Sequence, residues 1–212
     1  MFVITADQID SRNDRDRAGE MIDELAASFP GAFTLPPDQT SGDEIQMLLT
    51  DARLTLDVIL ALHRSGHWSI GLGIGDVRRP LPASARQAAG DAFVGARAAV
   101  TRAKKTEGRF GLELAAAPDG RPPLLSAEEV EALVTTLLLL RQRRTKEGWA
   151  AVDLLGQGLT QVEIAATLGI STAAVSQRLS SALWRVDQSA QPALVRLVEN
   201  LQHATTETDP AA

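Results

Sequence analysis

The sequence predicts an α+β protein in which a mixed β-sheet with helices is followed by an all-α domain. Before residue 118, segments with the two-residue alternation of strands alternate with segments that have helical spacing. After residue 126 only helical spacing is found. Between them, Pro118–Pro123 combines turn residues with adjacent prolines, which continue neither a helix nor a sheet.

The N-terminal elements follow one another in the order strand, helix, hairpin, helix, strand, helix, strand. Apolar spacing and turn residues predict strands at 2–9, 32–39, 44–51, 67–77 and 109–115, and helices at 14–29, 51–64 and 83–105. The hairpin turn is Ser41-Gly42-Asp43-Glu44. This order is typical of ferredoxin-like α+β domains.

The strand at 67–77 has one bulky face and one glycine face. Trp68, Ile70, Leu72 and Ile74 alternate with Ser69, Gly71, Gly73 and Gly75. A face without side chains lets a helix or a ligand approach the backbone closely. We therefore expect a close neighbour on this face.

The second half of the chain begins with a helix. Ser126 and Glu129 have the spacing of an N-terminal capping box, and Val130, Leu133, Leu137 and Leu140 recur at a near-heptad interval. The predicted organisation is a domain at 1–118, a linker at 119–125, a connecting helix at 126–145, a domain at 146–203 and a disordered tail at 204–212.

Within 146–203 the pattern indicates two short helices joined by a tight turn. Thr160 is placed to cap the first, and Ser171 or Thr172 the second, whose inward face is Val175, Leu179 and Leu183. Ala165 is small enough for a close helix crossing, Gly169 suits a left-handed turn, and Ile170 fills the core between the helices. Together they predict a helix-turn-helix.

This stretch resembles the tetrahelical helix-turn-helix of sigma-factor region four and of LuxR-type regulators. The resemblance implies that the helix starting near Thr172 enters the major groove of double-stranded DNA. The residues expected at base edges are Thr172, Ala173, Ser176, Gln177 and Arg178, and those expected at phosphates are Thr160, Gln161, Ser171, Ser180 and Arg185. The alternative is a helical bundle used for protein contact.

Charge limits how the module binds DNA. The chain has 21 basic and 27 acidic residues, a net charge of -6, so bulk attraction to nucleic acid is excluded. Residues 141–187 contain six basic and four acidic residues. Such a small excess predicts a homodimer that presents two modules.

Acidic residues occur where the first strand ends and in the hairpin turn. Asp7, the triplet Ile9-Asp10-Ser11, the segment GDEIQ starting at Gly42 and the strand WSIGLGIGDV resemble the SatD family over most of residues 2–115. That family's pattern is similar to the palm-like domain of class III nucleotidyl cyclases and GGDEF proteins.

The resemblance implies a nucleotide and metal site. Asp7 and Asp43, assisted by Glu44, match the positions that hold divalent cations, Mg²⁺ or Mn²⁺, against a nucleotide. Residues Gln8, Ile9, Asp10 and Ser11 with Gly42 match the region that phosphates approach. Lys104 and Arg109 resemble residues at the phosphate-contacting end of GGDEF domains.

Three functions of the N-terminal domain remain open. In the favoured one, the domain of a transcriptional regulator binds a nucleotide or a metal and controls DNA binding. In the second, it is an active nucleotidyl cyclase or nucleotidyltransferase tethered to DNA. Val94 argues against this second function, because the resemblance implies an Asn at its position that contacts the transition state. In the third, it is only a dimer scaffold.

Composition indicates the compartment. The chain has no cysteine, so no disulfide or thiolate metal site holds it together. It has no basic leader followed by a long apolar stretch and no apolar run that could span a bilayer. A cytoplasmic protein without contact to membranes is expected.

Overall fold

The computed structural model describes residues 1–11, 14–40, 42–116 and 122–205. The strands are β1 (Phe2–Gln8), β2 (Leu35–Gln39), β3 (Glu44–Leu49), β4 (Trp68–Ile74) and β5 (Phe110–Leu114). The helices are α1 (Ala18–Ser28), α2 (Ala52–Ser65), α3 (Asp91–Ala103), α4 (Ala127–Gln142), α5 (Lys146–Gly156), α6 (Gln161–Leu168), α7 (Thr172–Ser181) and α8 (Trp184–Thr205). The α+β class and the N-terminal order of elements are confirmed.

The five strands form one mixed sheet in the order β2-β3-β1-β4-β5. β1 is central and runs antiparallel to both β3 and β4, whereas β5 runs parallel to β4. Asp7 pairs with Glu44 on one neighbouring strand and with Ser69 on the other. The predicted acidic positions therefore meet at one end of the sheet.

The glycine face of β4 packs against α3. A Cβ at Gly71 would overlap the backbone of Ala96 and Val100, and one at Gly73 would overlap the backbone of Ala92 and Ala96. The expected close neighbour is thus a helix. The opposite side of the sheet carries large side chains that are fully buried, among them Phe2, Ile4, Ile70 and Leu72.

The single helix predicted at 83–105 is wrong. A short 3₁₀ helix (Ala85–Gln87) is followed by a break before α3. Gly90, at the break, has φ 142°, a conformation that side chains rarely adopt. A Cβ there would lie 2.6 Å from the carbonyl oxygen of Asp76, so the alanine-rich composition is overridden by this close approach.

The chain divides into two compact units. The first is residues 1–135 with the residues from 194 onward, and the second is residues 136–193. The division follows packing and falls inside α4 and α8, whereas the predicted bounds, 1–118 and 146–203, follow composition. Residues 119–121 of the predicted linker lie outside the described residues, as do Ser41 and residues 206–212 of the predicted tail. Residues 204 and 205 belong to α8 and not to a tail.

The near-heptad pattern of α4 does not form an exposed seam. Val130, Val134, Leu137 and Leu138 are at most 4% exposed, whereas Leu133 is 43% exposed. The chain itself therefore buries these four apolar side chains. Among the described residues, no helix is long and apolar enough to cross a membrane.

Candidate nucleic-acid interface and sheet-end site

The first helix of the predicted pair, α6, is capped as its sequence requires. The Thr160 hydroxyl accepts the Glu163 N–H at 3.3 Å, and the Glu163 carboxylate accepts the Thr160 N–H at 2.7 Å. The Thr160 N–H first, and then the Thr160 hydroxyl, which donates to the Glu163 carboxylate at 2.8 Å, lower the pKa of Glu163 from its ordinary value. Glu163 therefore stabilises the N-terminus of α6.

The turn between α6 and α7 has the predicted geometry. Gly169 is left-handed, with φ 64°, and the Ile170 N–H donates to the Ala165 carbonyl at 3.0 Å. Ser171, and not Thr172, caps α7 by accepting the Ala174 N–H at 3.1 Å. The turn is three residues long.

Five small or apolar residues form the core of the three helices α5, α6 and α7. They are Ala151, Ile164, Ala165, Val175 and Leu179, and Ile170 packs against them as predicted. The inward position predicted for Leu183 is wrong, because α7 ends at Ser181 and Leu183 is 46% exposed with φ 51°.

The predicted base-edge residues lie on the outer side of α7, where Thr172, Ala173, Ser176 and Gln177 are exposed. Arg178 is half-buried. The predicted phosphate contacts Thr160, Gln161, Ser171, Ser180 and Arg185 are exposed as well. Their contacts with DNA stay a prediction.

The same module contains a buried charge network that the sequence did not indicate. Asp187 Oδ2 accepts from Arg144 Nη2 at 2.6 Å and from Arg141 Nη1 at 2.8 Å, while its Oδ1 accepts from Gln191 at 2.8 Å. Arg144 also donates to the Ala182 carbonyl at 2.7 Å. The side chains of Arg144 and Asp187 are each 1% exposed.

This network removes two arginines from the surface charge of the module. Both guanidinium groups also lie over the ring of Trp149, at 5.1 Å for Arg141 and 4.7 Å for Arg144. The basic residues of 141–187 that remain for DNA are Arg143, Lys146, Arg178 and Arg185. The surplus of positive charge at the surface is therefore very small.

The sheet end brings two of the predicted metal ligands together. Asp7 and Glu44 are cross-strand partners and so point to the same side of the sheet. Asp7 Oδ2 lies 2.7 Å from Lys104 Nζ, and Glu44 Oε1 lies 3.6 Å from Arg97 Nη2. Both carboxylates thus already face a cation of the protein.

The third predicted ligand, Asp43, is linked to β1 through its backbone. Its carbonyl accepts the Gln8 N–H at 3.2 Å. Among the residues that the structure describes, no three His, Cys, Asp or Glu side chains are grouped to hold a metal ion. The metal prediction for Asp7, Asp43 and Glu44 stays a prediction.

The predicted phosphate-binding residues differ in their hydrogen bonds within the protein and in their exposure. The Gln8 side chain is buried, accepts the Arg17 N–H at 2.9 Å and donates to the Arg15 carbonyl at 2.8 Å. The Ile9 N–H donates to the His67 carbonyl at 2.8 Å. Asp10 and Gly42 are exposed and left-handed, with φ 54° and 66°, and Ser11 follows Asp10.

Comparison with known families supports the helix-turn-helix. Residues 137–187 match the family described as Sigma-70, region 4. The match takes in α5, α6 and α7 entirely, with the end of α4 and the start of α8. No curated protein and no solved structure matches the chain. The resemblance of residues 2–115 to the SatD family stays a prediction.

Proposed function

We propose that this chain is a cytoplasmic transcriptional regulator that binds double-stranded DNA through α6 and α7. The observation that carries the proposal is the capped helix pair with an exposed polar face on its second helix, in a segment that matches Sigma-70, region 4. A helix of this kind fits the major groove, where each base pair presents a distinct set of donors and acceptors.

The outer face of α7 supplies the reading groups. Gln177 is able to donate and accept at once, which suits a bidentate contact with adenine, and the hydroxyl of Ser176 suits either base type. The methyl group of Thr172 and that of Ala173 suit the methyl group of thymine. The proposal thus assigns sequence preference to four side chains on one face of α7.

Pairing of two modules is part of the proposal. Each phosphate that a lysine or arginine neutralises adds to affinity by releasing counterions, and one module has few exposed cations. Two modules on adjacent half-sites would double that number. We expect a homodimer, with a DNA footprint of two half-sites about one helical turn apart.

The proposal is tested by selecting duplexes from a random pool with the full chain and sequencing them. The wild type is expected to enrich a motif, and Gln177→Ala to weaken binding of that motif by roughly 5- to 150-fold, the equivalent of about 1–3 kcal/mol. Gln188→Ala is the matched control, since Gln188 is exposed on α8. No enrichment by the wild type would overturn the proposal.

The N-terminal unit is proposed to bind a nucleotide with Mg²⁺ or Mn²⁺ and thereby to change DNA affinity. Asp7 and Glu44 offer hard oxygen ligands on one sheet face, which is the donor chemistry that Mg²⁺ prefers. A divalent cation there would replace the Lys104 ammonium beside Asp7. Asp10, Ser11 and Gly42 are the candidates to approach the phosphates.

Thermal unfolding with each nucleoside triphosphate and Mg²⁺ or Mn²⁺ tests this part. One nucleotide is expected to raise the Tm of the wild type but not that of Asp7→Ala with Asp43→Ala, whose DNA binding should persist. Asp23→Ala, an exposed change on α1, is the control. An unchanged Tm with all nucleotides would favour a scaffold, and turnover that requires Asp7 and Asp43 would make the unit an enzyme.

A further inference from the structure

We propose that Arg143, Lys146 and Arg178, which we call the basic flank, form a docking site for the phosphates of the DNA backbone. The inference rests on the proposed DNA-binding function and adds a contact surface beside α7. A cleft of about 250 Å³ lies there. Its walls include Arg143, Thr145, Gly148, Gln177, Arg178 and Ser181.

The flank is held in place by the buried network. Arg144 follows Arg143 directly, and its guanidinium donates to the Ala182 carbonyl at 2.7 Å and to Asp187 at 2.6 Å. The chain at residue 144 is therefore fixed against the end of α7. Arg143, next to it, is exposed and lines the cleft.

The first turn of α5 forms another wall of the cleft. Thr145 caps α5 by accepting the Gly148 N–H at 3.1 Å, and a Cβ at Gly148 would lie 3.5 Å from the Cβ of Ala182. The start of α5 thus abuts the end of α7. Lys146 is the first residue of α5 and is exposed.

The chemistry of these groups suits phosphate. A guanidinium group donates two parallel hydrogen bonds to phosphate oxygens, and the start of a helix carries partial positive charge. Arg178 is half-buried and faces the cleft, which favours a phosphate contact over the base-edge contact expected from its place on α7. Gln177, which also lines the cleft, connects the flank to the base-reading face.

One acidic residue opposes this attraction. Glu147 is exposed, and its pKa is lowered by a hydrogen bond to its own backbone, then by the Thr145 side chain, with a contribution from nearby Arg178 and Lys146. Its negative charge at neutral pH lies near Arg178 and Lys146. Glu147→Gln should therefore strengthen DNA binding.

The test is the salt dependence of DNA affinity, measured on the full chain with the selected duplex and with an unrelated duplex. Arg143→Ala is expected to lower the slope of log K against log salt by about 0.9, the value for one phosphate. It should weaken binding to both duplexes by the same factor. Glu147→Gln should raise affinity for both, and Arg53→Ala, an exposed arginine on α2, should change neither.

The outcomes separate this inference from the proposed function. A wild type that binds DNA while Arg143→Ala and Glu147→Gln keep its slope and affinity would overturn the inference alone. A loss confined to the selected duplex would also overturn it, because that pattern is typical of a base contact. A wild type that binds no duplex would overturn both. Unchanged thermal unfolding of each variant confirms that it is folded.

Discussion

Asp187 connects three parts of the C-terminal module through one carboxylate. It accepts hydrogen bonds from Arg141 on α4, from Arg144 between α4 and α5, and from Gln191 one turn further along α8. Burying charges is unfavourable unless each is paired and hydrogen-bonded, and here two guanidinium groups depend on one acid. Removing that acid leaves a buried positive charge uncompensated.

Asp187→Asn is therefore expected to destabilise the module by about 3–5 kcal/mol, the range found when one partner of a buried pair is removed. Thermal unfolding followed by circular dichroism, with limited proteolysis between residues 136 and 193, measures this loss. Asp23→Asn is the matched control, because Asp23 is exposed on α1. Equal unfolding of Asp187→Asn and the wild type would show that the network does not stabilise the module.

The contact between β4 and α3 depends on glycine. Gly71 and Gly73 have no side chain at the face where the backbone of α3 passes, and a Cβ at Gly111 on β5 would likewise overlap the backbone of Ala99. Alanines at 92, 96, 99 and 103 of α3 are buried on the same side. Both partners are therefore small, which allows a helix to approach the sheet at backbone distance.

Gly73→Ala is expected to lower the free energy of unfolding by about 1–3 kcal/mol or more, because its Cβ would overlap the backbone of Ala92 and Ala96. Gly19→Ala is the control. Gly19 lies in α1 with nothing within 4 Å of the added Cβ, so alanine there should gain up to about 1 kcal/mol. Denaturant unfolding of both variants checks the pair, and a neutral Gly73→Ala would contradict this packing.

Across the whole chain, local sequence patterns are sufficient to predict the order of elements and the helix-turn-helix. Caps, a left-handed glycine and apolar spacing all act within a few residues, as Thr160, Gly169 and Val175 illustrate. They are visible in the sequence because their physical causes are local.

Sequence patterns did not reveal the features that depend on contacts between distant parts of the chain. Arg144 and Asp187 are 43 residues apart, and no periodicity marks either as buried. The break at Gly90 comes from the backbone of Asp76 and Val77, and the pairing of Asp7 with Lys104 spans 97 residues. Asp7 and Glu44 were placed on the correct strands, but their ion pairs with Lys104 and Arg97 were not predicted.

The proposed regulator depends on α7 directing the chain to particular DNA sequences. Mapping of bound sites across a genome tests this for the wild type and for Gln177→Ala, which removes a proposed base contact and keeps Arg178 at its proposed phosphate contact. We expect discrete sites that share a motif for the wild type and their loss in the folded variant. Sites that persist unchanged in the variant, or a wild type without discrete sites, would overturn the proposal.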